Sequence, residues 1–178
     1  MKKFFLVCFS IIMLSACSLS NTPKGKVEAY MNRYTSVTED VKTDMETQIA
    51  SENLSTSNKE IYKNVLTRQY ENIKYEVKDE TIDGDKANVI VKITVYDLYK
   101  SESASLKYLN EHNDEFYENN TFNEESYTTY KLNEMLKASD TVDYEITFYL
   151  NKNDGEWVIQ NPDRVTLEKI HGLYNYES

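Results

Sequence analysis

The side chains able to do chemistry are few and scattered. Cys8 and Cys17 are the two cysteines of the 178 residues. Cys8 lies inside an apolar run at 4–14 and reads as a small hydrophobe there. Cys17 stands just past that run, after Leu14, Ser15 and Ala16. His112 and His171 are the two histidines. His112 sits among Asn110, Glu111, Asn113 and Asp114, which reads as a solvated helix face. His171 falls in the last turn of an expected helix, where the dipole favours a cation. No Cys/His cluster has zinc spacing. No GxSxG, HExxH or phosphate-loop pattern occurs. The acidic turn Asp83-Gly84-Asp85 lacks the oxygen count and order of a calcium loop. These residues point to no catalytic centre, no metal and no cofactor.

Asp97 is the one carboxylate that stands out. It shares strand parity with Ala87, Val89, Val91, Ile93 and Val95, so it is placed to face inward. A carboxylate buried there would have a raised pKa and could act as a base. The plainer reading is a strand end, with Asp97 bonded to backbone amides or exposed at a rim. Fifteen tyrosines suggest a different chemistry, because aromatic rings stack on sugars and peptides and end in a hydroxyl. Tyr30, Tyr34, Tyr70, Tyr75 and Tyr144 fall on helical or strand stripes and read as core. Tyr127, Tyr130, Tyr174 and Tyr176 are harder to assign, which makes Tyr127 and Tyr130 the candidate ligand-binding residues.

The elements that must position these groups follow from periodicity. Thr22 and Pro23 open a helix as cap and first-turn proline, with Val27, Tyr30, Met31 and Tyr34 on one face. Ser36 and Glu39 have capping-box spacing and open a second helix bearing Val41, Met45 and Ile49. Ser57 and Glu60 repeat that spacing before a third helix, whose Ile61, Val65, Leu66, Tyr70 and Ile73 lie on one side. The period then falls to 2. Ile73, Tyr75 and Val77 pair through Asp83-Gly84-Asp85 with the strand Ala87 to Val95, which continues to Tyr99. Residues 101–139 interrupt the sheet with two helices, around Leu106, Leu109 and Phe116 and around Tyr127, Leu132, Met135 and Leu136. The polar run Asn119-Asn120-Thr121 separates them. Val142, Tyr144, Ile146, Phe148 and Leu150 resume the alternation. Asn153-Asp154-Gly155 turns the chain to Trp157 and Ile159, with Trp157 inward. Asp163 starts a last short helix that Gly172 ends. The fold class is therefore α+β: N-terminal helices on a curved antiparallel sheet of about four strands, a helical insertion between two hairpins, and a short C-terminal helix.

Length and charge bound the partners. Lys2 and Lys3, the apolar run 4–14 and the small Ser15 and Ala16 are the parts of a secretory signal peptide. The run is shorter than the roughly 20 residues that span a bilayer. Removing residues 1–16 of 178 leaves 162, one domain at 22–178 behind a polar tether at 17–21 that spans about 10–12 Å. The formal charge is −10, and loss of Lys2 and Lys3 makes the remainder more acidic. No basic cluster exists to displace counterions, which excludes nucleic acid. An anionic membrane would repel this body within about 8 Å, so attachment must come from lipid.

Leu14-Ser15-Ala16-Cys17 resembles the lipobox of bacterial lipoproteins. The resemblance implies that Cys17 carries a diacylglyceryl group and becomes the mature N-terminus, which places the protein on the extracytoplasmic face of the cell membrane. Two acyl chains anchor stably where one does not. The layout, with Asp83-Gly84-Asp85-Lys86-Ala87-Asn88-Val89 and Asp154-Gly155-Glu156-Trp157-Val158-Ile159 as its hairpins, resembles the cystatin-like, nuclear-transport-factor-2-like cone. It is similar to small lipoproteins of low-GC Gram-positive bacteria. Enzymes on that fold place an acid and a base, often Asp and His, in the cone, and neither histidine here fits. The expected function is a non-enzymatic domain that binds a protein or cell-wall partner through its cone or inserted helices. The alternatives are a small hydrolase or isomerase using Asp97, and a purely structural envelope protein.

Overall fold

The computed structural model describes residues 21–177. The expected signal segment 1–16 and Cys17 lie outside the described residues. Three helices come first: α1 (Pro23–Thr35), α2 (Glu39–Ser51) and α3 (Thr56–Glu71). The hairpin β1 (Lys74–Asp83) and β2 (Lys86–Tyr96) follows. The insertion holds α4 (Leu98–Glu111), a 3-10 turn (Asn113–Phe116), the short strands β3 (Tyr117–Glu118) and β4 (Thr121–Phe122), and α5 (Glu124–Lys137). The chain closes with β5 (Thr141–Asn153), β6 (Glu156–Ile159) and α6 (Arg164–His171). The main sheet is antiparallel, in the order β1-β2-β5-β6, and β3 and β4 form a separate two-stranded sheet.

Alternation decides the faces of the main sheet. Val89 lies opposite Phe148, Val91 opposite Ile146 and Ile93 opposite Tyr144, and all six are buried. Trp157 joins that face from β6 and is also buried. Val27 and Met31 of α1, Leu66 and Tyr70 of α3, and Ile170 of α6 cover it. Each such aliphatic or aromatic side chain contributes roughly 1.5–3 kcal/mol on burial. The opposite face presents Lys92, Asp143 and Tyr149 to solvent, with Lys92 and Asp143 paired at 2.7 Å.

Helix α3 serves two cores. Val65 and Leu66 are neighbours in sequence and so point about 100° apart. Leu66 enters the core under the sheet, while Val65 enters a second cluster with Leu98, Leu132 and Met135. The apolar side expected as one stripe is therefore split, and the insertion packs on α3.

Several local expectations are corrected. Ser36 ends α1 instead of opening α2, and Val37 takes a left-handed φ of 43° in the link. Thr38 then stands at the start of α2, its hydroxyl capping no backbone N–H of the first turn and donating instead to Asp40 Oδ1. The cap of α3 is Ser55, whose Oγ accepts from Asn58 N at 3.2 Å, and not Ser57. Strand β2 stops at Tyr96, and a helix begins at Leu98, where continued strand to Tyr99 was expected. Asn119-Asn120 is not a loop between two helices but the turn of the β3–β4 hairpin. Asn21, expected in the tether, is fastened to the domain: its Nδ2 donates to Gly155 O at 3.0 Å, and its Oδ1 accepts from Trp157 N at 3.1 Å.

Candidate functional site

The insertion leaves and rejoins the sheet at one point, where Asp97 N donates to Asp140 O at 2.9 Å. Each of its helices starts on a polar cap, as four unpaired N–H groups require. Asp97 Oδ1 accepts from Lys100 N at 2.9 Å, and Asn123 Oδ1 accepts from Ser126 N at 3.0 Å. Between the helices, Asn119 and Asn120 hold φ values of 52° and 63°. Two successive left-handed residues make the tight turn that matches strand twist, and asparagine tolerates that conformation. The turn sets Tyr117 directly opposite Phe122, with ring centroids 5.7 Å apart.

That ring pair caps a larger aromatic cluster. Phe116 is buried at its centre and lies 5.5 Å from both Tyr127 and Tyr130. Tyr108 stacks on Tyr130 at 4.8 Å and on His112 at 4.1 Å. Phe122 reaches Tyr127 at 6.2 Å. The structure thus brings Tyr127 and Tyr130 together on α5, but as a half-buried shelf for Phe116 and Tyr108. The rings offered outward are Tyr117, 51% exposed, and Phe122, 39% exposed. The Tyr108 hydroxyl donates to Glu115 at 2.9 Å; that bond first, then burial, raises its pKa. Burial likewise raises Tyr127 and Tyr130. All three remain hydroxyl donors at neutral pH.

Asp97 is buried, but both its carboxylate oxygens have partners. Oδ1 caps α4, and Oδ2 accepts from the Tyr176 hydroxyl at 2.8 Å. The bond to Asp97 raises Tyr176 to about 12. A groove of about 240 Å³ runs past Asp97 between α4 and α5. Its charged lining is paired: Lys100 with Asp140 at 2.6 Å and Lys137 with Glu134 at 2.8 Å. Neither histidine lines it. His112 ends α4 with its ring on Tyr108. His171 packs against Tyr70 at 5.7 Å, and burial lowers its pKa to about 4. It is a neutral ring at physiological pH, not the cation expected at a helix end. Among the described residues, no group of three or more His, Cys, Asp or Glu is placed to hold a metal ion, and no helix is long and apolar enough to cross a membrane.

Tyr117 and Phe122 escaped the reading of the sequence. The available signal was Asn119-Asn120, two residues that tolerate a left-handed turn, set between Tyr117-Glu118 and Thr121-Phe122. It lay between two helical stripes and was absorbed as a linker. Set against family models, curated proteins and solved structures, the chain matches none.

Proposed function

We propose that the protein is a lipid-anchored extracytoplasmic domain that binds a partner through the aromatic surface of its inserted segment, without catalysis. The observation that carries this reading is the pair Tyr117 and Phe122. Two large rings stand exposed side by side on the β3–β4 hairpin, and Phe122 joins them to the cluster through Tyr127. Exposed rings that pack on little of their own chain are characteristic of contact surfaces. The partners held by both oxygens of Asp97 support a structural role for that carboxylate over a base. Lipid attachment through Cys17 would hold the domain at the membrane.

The deciding experiment compares Tyr117→Ser with Phe122→Ser, combined, against Asp97→Asn. Cellular complementation is read beside circular dichroism and a thermal melt. The ring variant should stay folded and lose the cellular role. Asp97→Asn retains the Oδ1 that caps α4, so it should melt close to the parent and keep the role. A folded, inactive Asp97→Asn protein alongside an active ring variant would overturn the binding reading in favour of the enzyme.

A further inference from the structure

Within the binding reading above, we propose that the aromatic surface takes a cationic segment of a partner protein, its Arg and Lys side chains lying over Tyr117 and Phe122 beside the carboxylates of the insertion. The stretch between Lys107 and Lys131 contains Glu111, Asp114, Glu115, Glu118, Glu124 and Glu125 and no Lys or Arg. The bordering cations are occupied: Lys107 with Glu111 at 3.8 Å and Lys131 with Glu102 at 3.0 Å. Among the described residues, no ion pair reaches Asp114, Glu118 or Glu124. Within the aromatic cluster, Glu115 accepts from the Tyr108 hydroxyl at 2.9 Å, and Tyr108 stacks on Tyr130. Aromatic faces are themselves negative and attract guanidinium and ammonium groups. Rings and carboxylates therefore select the same ligand charge. An anionic polymer or lipid headgroup would be repelled, and a neutral sugar would gain nothing from the charges.

The position of the surface also favours a partner protein over the bilayer. Asn21 is bonded to Gly155 and Trp157, at the turn end of the sheet. The insertion departs beyond Tyr96, at the other end of β2. Ten strand steps separate Lys86 from Tyr96, about 33 Å at the usual rise. The insertion that bears these rings therefore leaves the sheet at the end remote from Asn21.

The test uses the full chain in a neutral detergent and titration calorimetry at low and high salt. The probes are a ten-residue peptide alternating Arg and Gly, its Glu–Gly counterpart, a neutral N-acetylglucosamine oligosaccharide, and anionic phospholipid vesicles. The Arg peptide should bind and weaken with salt, and the other three should not. Two exposed cation–ring contacts imply that combined Tyr117→Ser and Phe122→Ser weaken it about 5- to 30-fold with charge unchanged. Glu118→Gln with Glu124→Gln should weaken it several-fold. Asp83→Asn with Asp154→Asn, at the remote turns, removes equal charge and should have no effect. An equal loss in that remote pair would show diffuse attraction and overturn the proposal, as would preferential binding of the sugar or the vesicles. If the Arg peptide fails while the ring variant still loses the cellular role, the cationic partner is wrong and the binding reading survives. If the ring variant complements fully, both fall.

Discussion

Gln69 shows how a single buried polar side chain joins three elements. It is 1% exposed. Its Oε1 accepts from Tyr96 N at 3.1 Å, and its Nε2 donates to Tyr96 O at 3.3 Å and Ile170 O at 3.5 Å. The amide thus ties α3 to the end of β2 and the end of α6. Gly172 makes room for it. Gly172 has a φ of 71°, and a Cβ there would stand 2.2 Å from Tyr96 O and 2.4 Å from Gln69 Nε2. Backbone cannot yield as a flexible side chain can, and the left-handed conformation adds strain for any other residue. Gly172→Ala should therefore destabilise by about 2 kcal/mol or more, read by urea unfolding; an unchanged midpoint would contradict the packing described. His171 beside it supplies a pH effect. Its folded pKa of about 4 lies below its unfolded value of 6.5. Above pH 6.5 both states are neutral and stability is complete. Below it the unfolded chain takes up a proton that the folded chain refuses, so stability falls as pH drops toward 4. The ceiling of that loss is about 3 kcal/mol. His171→Gln should lose less stability between pH 7 and pH 5 than the parent, in melts at both values. Identical pH dependence would show that the imidazole is wetter than its packing against Tyr70 indicates.

At the scale of elements, legibility tracked the range of the forces involved. Strands β2 and β5 were plain because every second residue is apolar from Ala87 to Val95 and again along β5. The cap Thr22, with its Oγ1 accepting from Gly25 N at 3.0 Å, and the closing Gly172 were local signals and were read correctly. What failed was the extension of β2 to Tyr99; the strand-end reading of Asp97, bonded to a backbone amide, is met by its cap on Lys100 N. A carboxylate in strand parity and a helix cap look alike until Leu98 is seen entering the second core. The same blindness merged the two faces of α3, since no periodicity says which neighbour receives Val65. Trp157, expected inward, is 6% exposed and lies under Lys152 at 5.6 Å. Trp157→Ala should cost roughly 3–5 kcal/mol, and parent emission should be blue-shifted from that of free tryptophan in water. Emission at the aqueous position would refute the burial. Phe116 is the corresponding test for the insertion. Its removal takes the centre out of the ring cluster, so Phe116→Ala should also cost about 3–5 kcal/mol. Loss of β3–β4 amide protection should precede global unfolding, because the main sheet does not depend on that hairpin. Simultaneous loss throughout the domain would mean the insertion and the sheet form one cooperative unit.

On the scale of the whole molecule, the two ends of the main sheet carry different features. One end carries Asn21 and the β5–β6 turn; the other carries Asp97 and the insertion. Sequence reasoning placed Cys17 ahead of this domain, and the anchoring proposal can be separated from the orientation it implies. Cys17→Ser should release the protein or leave it as full-length precursor; a variant of mature mass still partitioning with membranes would refute lipid attachment at that residue. Orientation needs a different readout. Cysteines at Lys86, on the turn end, and at Glu118, on the insertion, both replace exposed side chains, so a bulky thiol reagent should meet each equally in free solution. On a membrane held through the N-terminus, Lys86→Cys lies at the turn end that carries Asn21, whereas Glu118→Cys lies on the insertion, which leaves the sheet at Tyr96, about 33 Å along the strand. The Glu118→Cys protein should then be labelled several-fold faster on intact membranes, and the difference should vanish once detergent dissolves them. Equal rates on intact membranes would show that the domain tumbles freely on its tether. Faster labelling at Lys86→Cys would invert the arrangement and turn the aromatic surface toward the lipid.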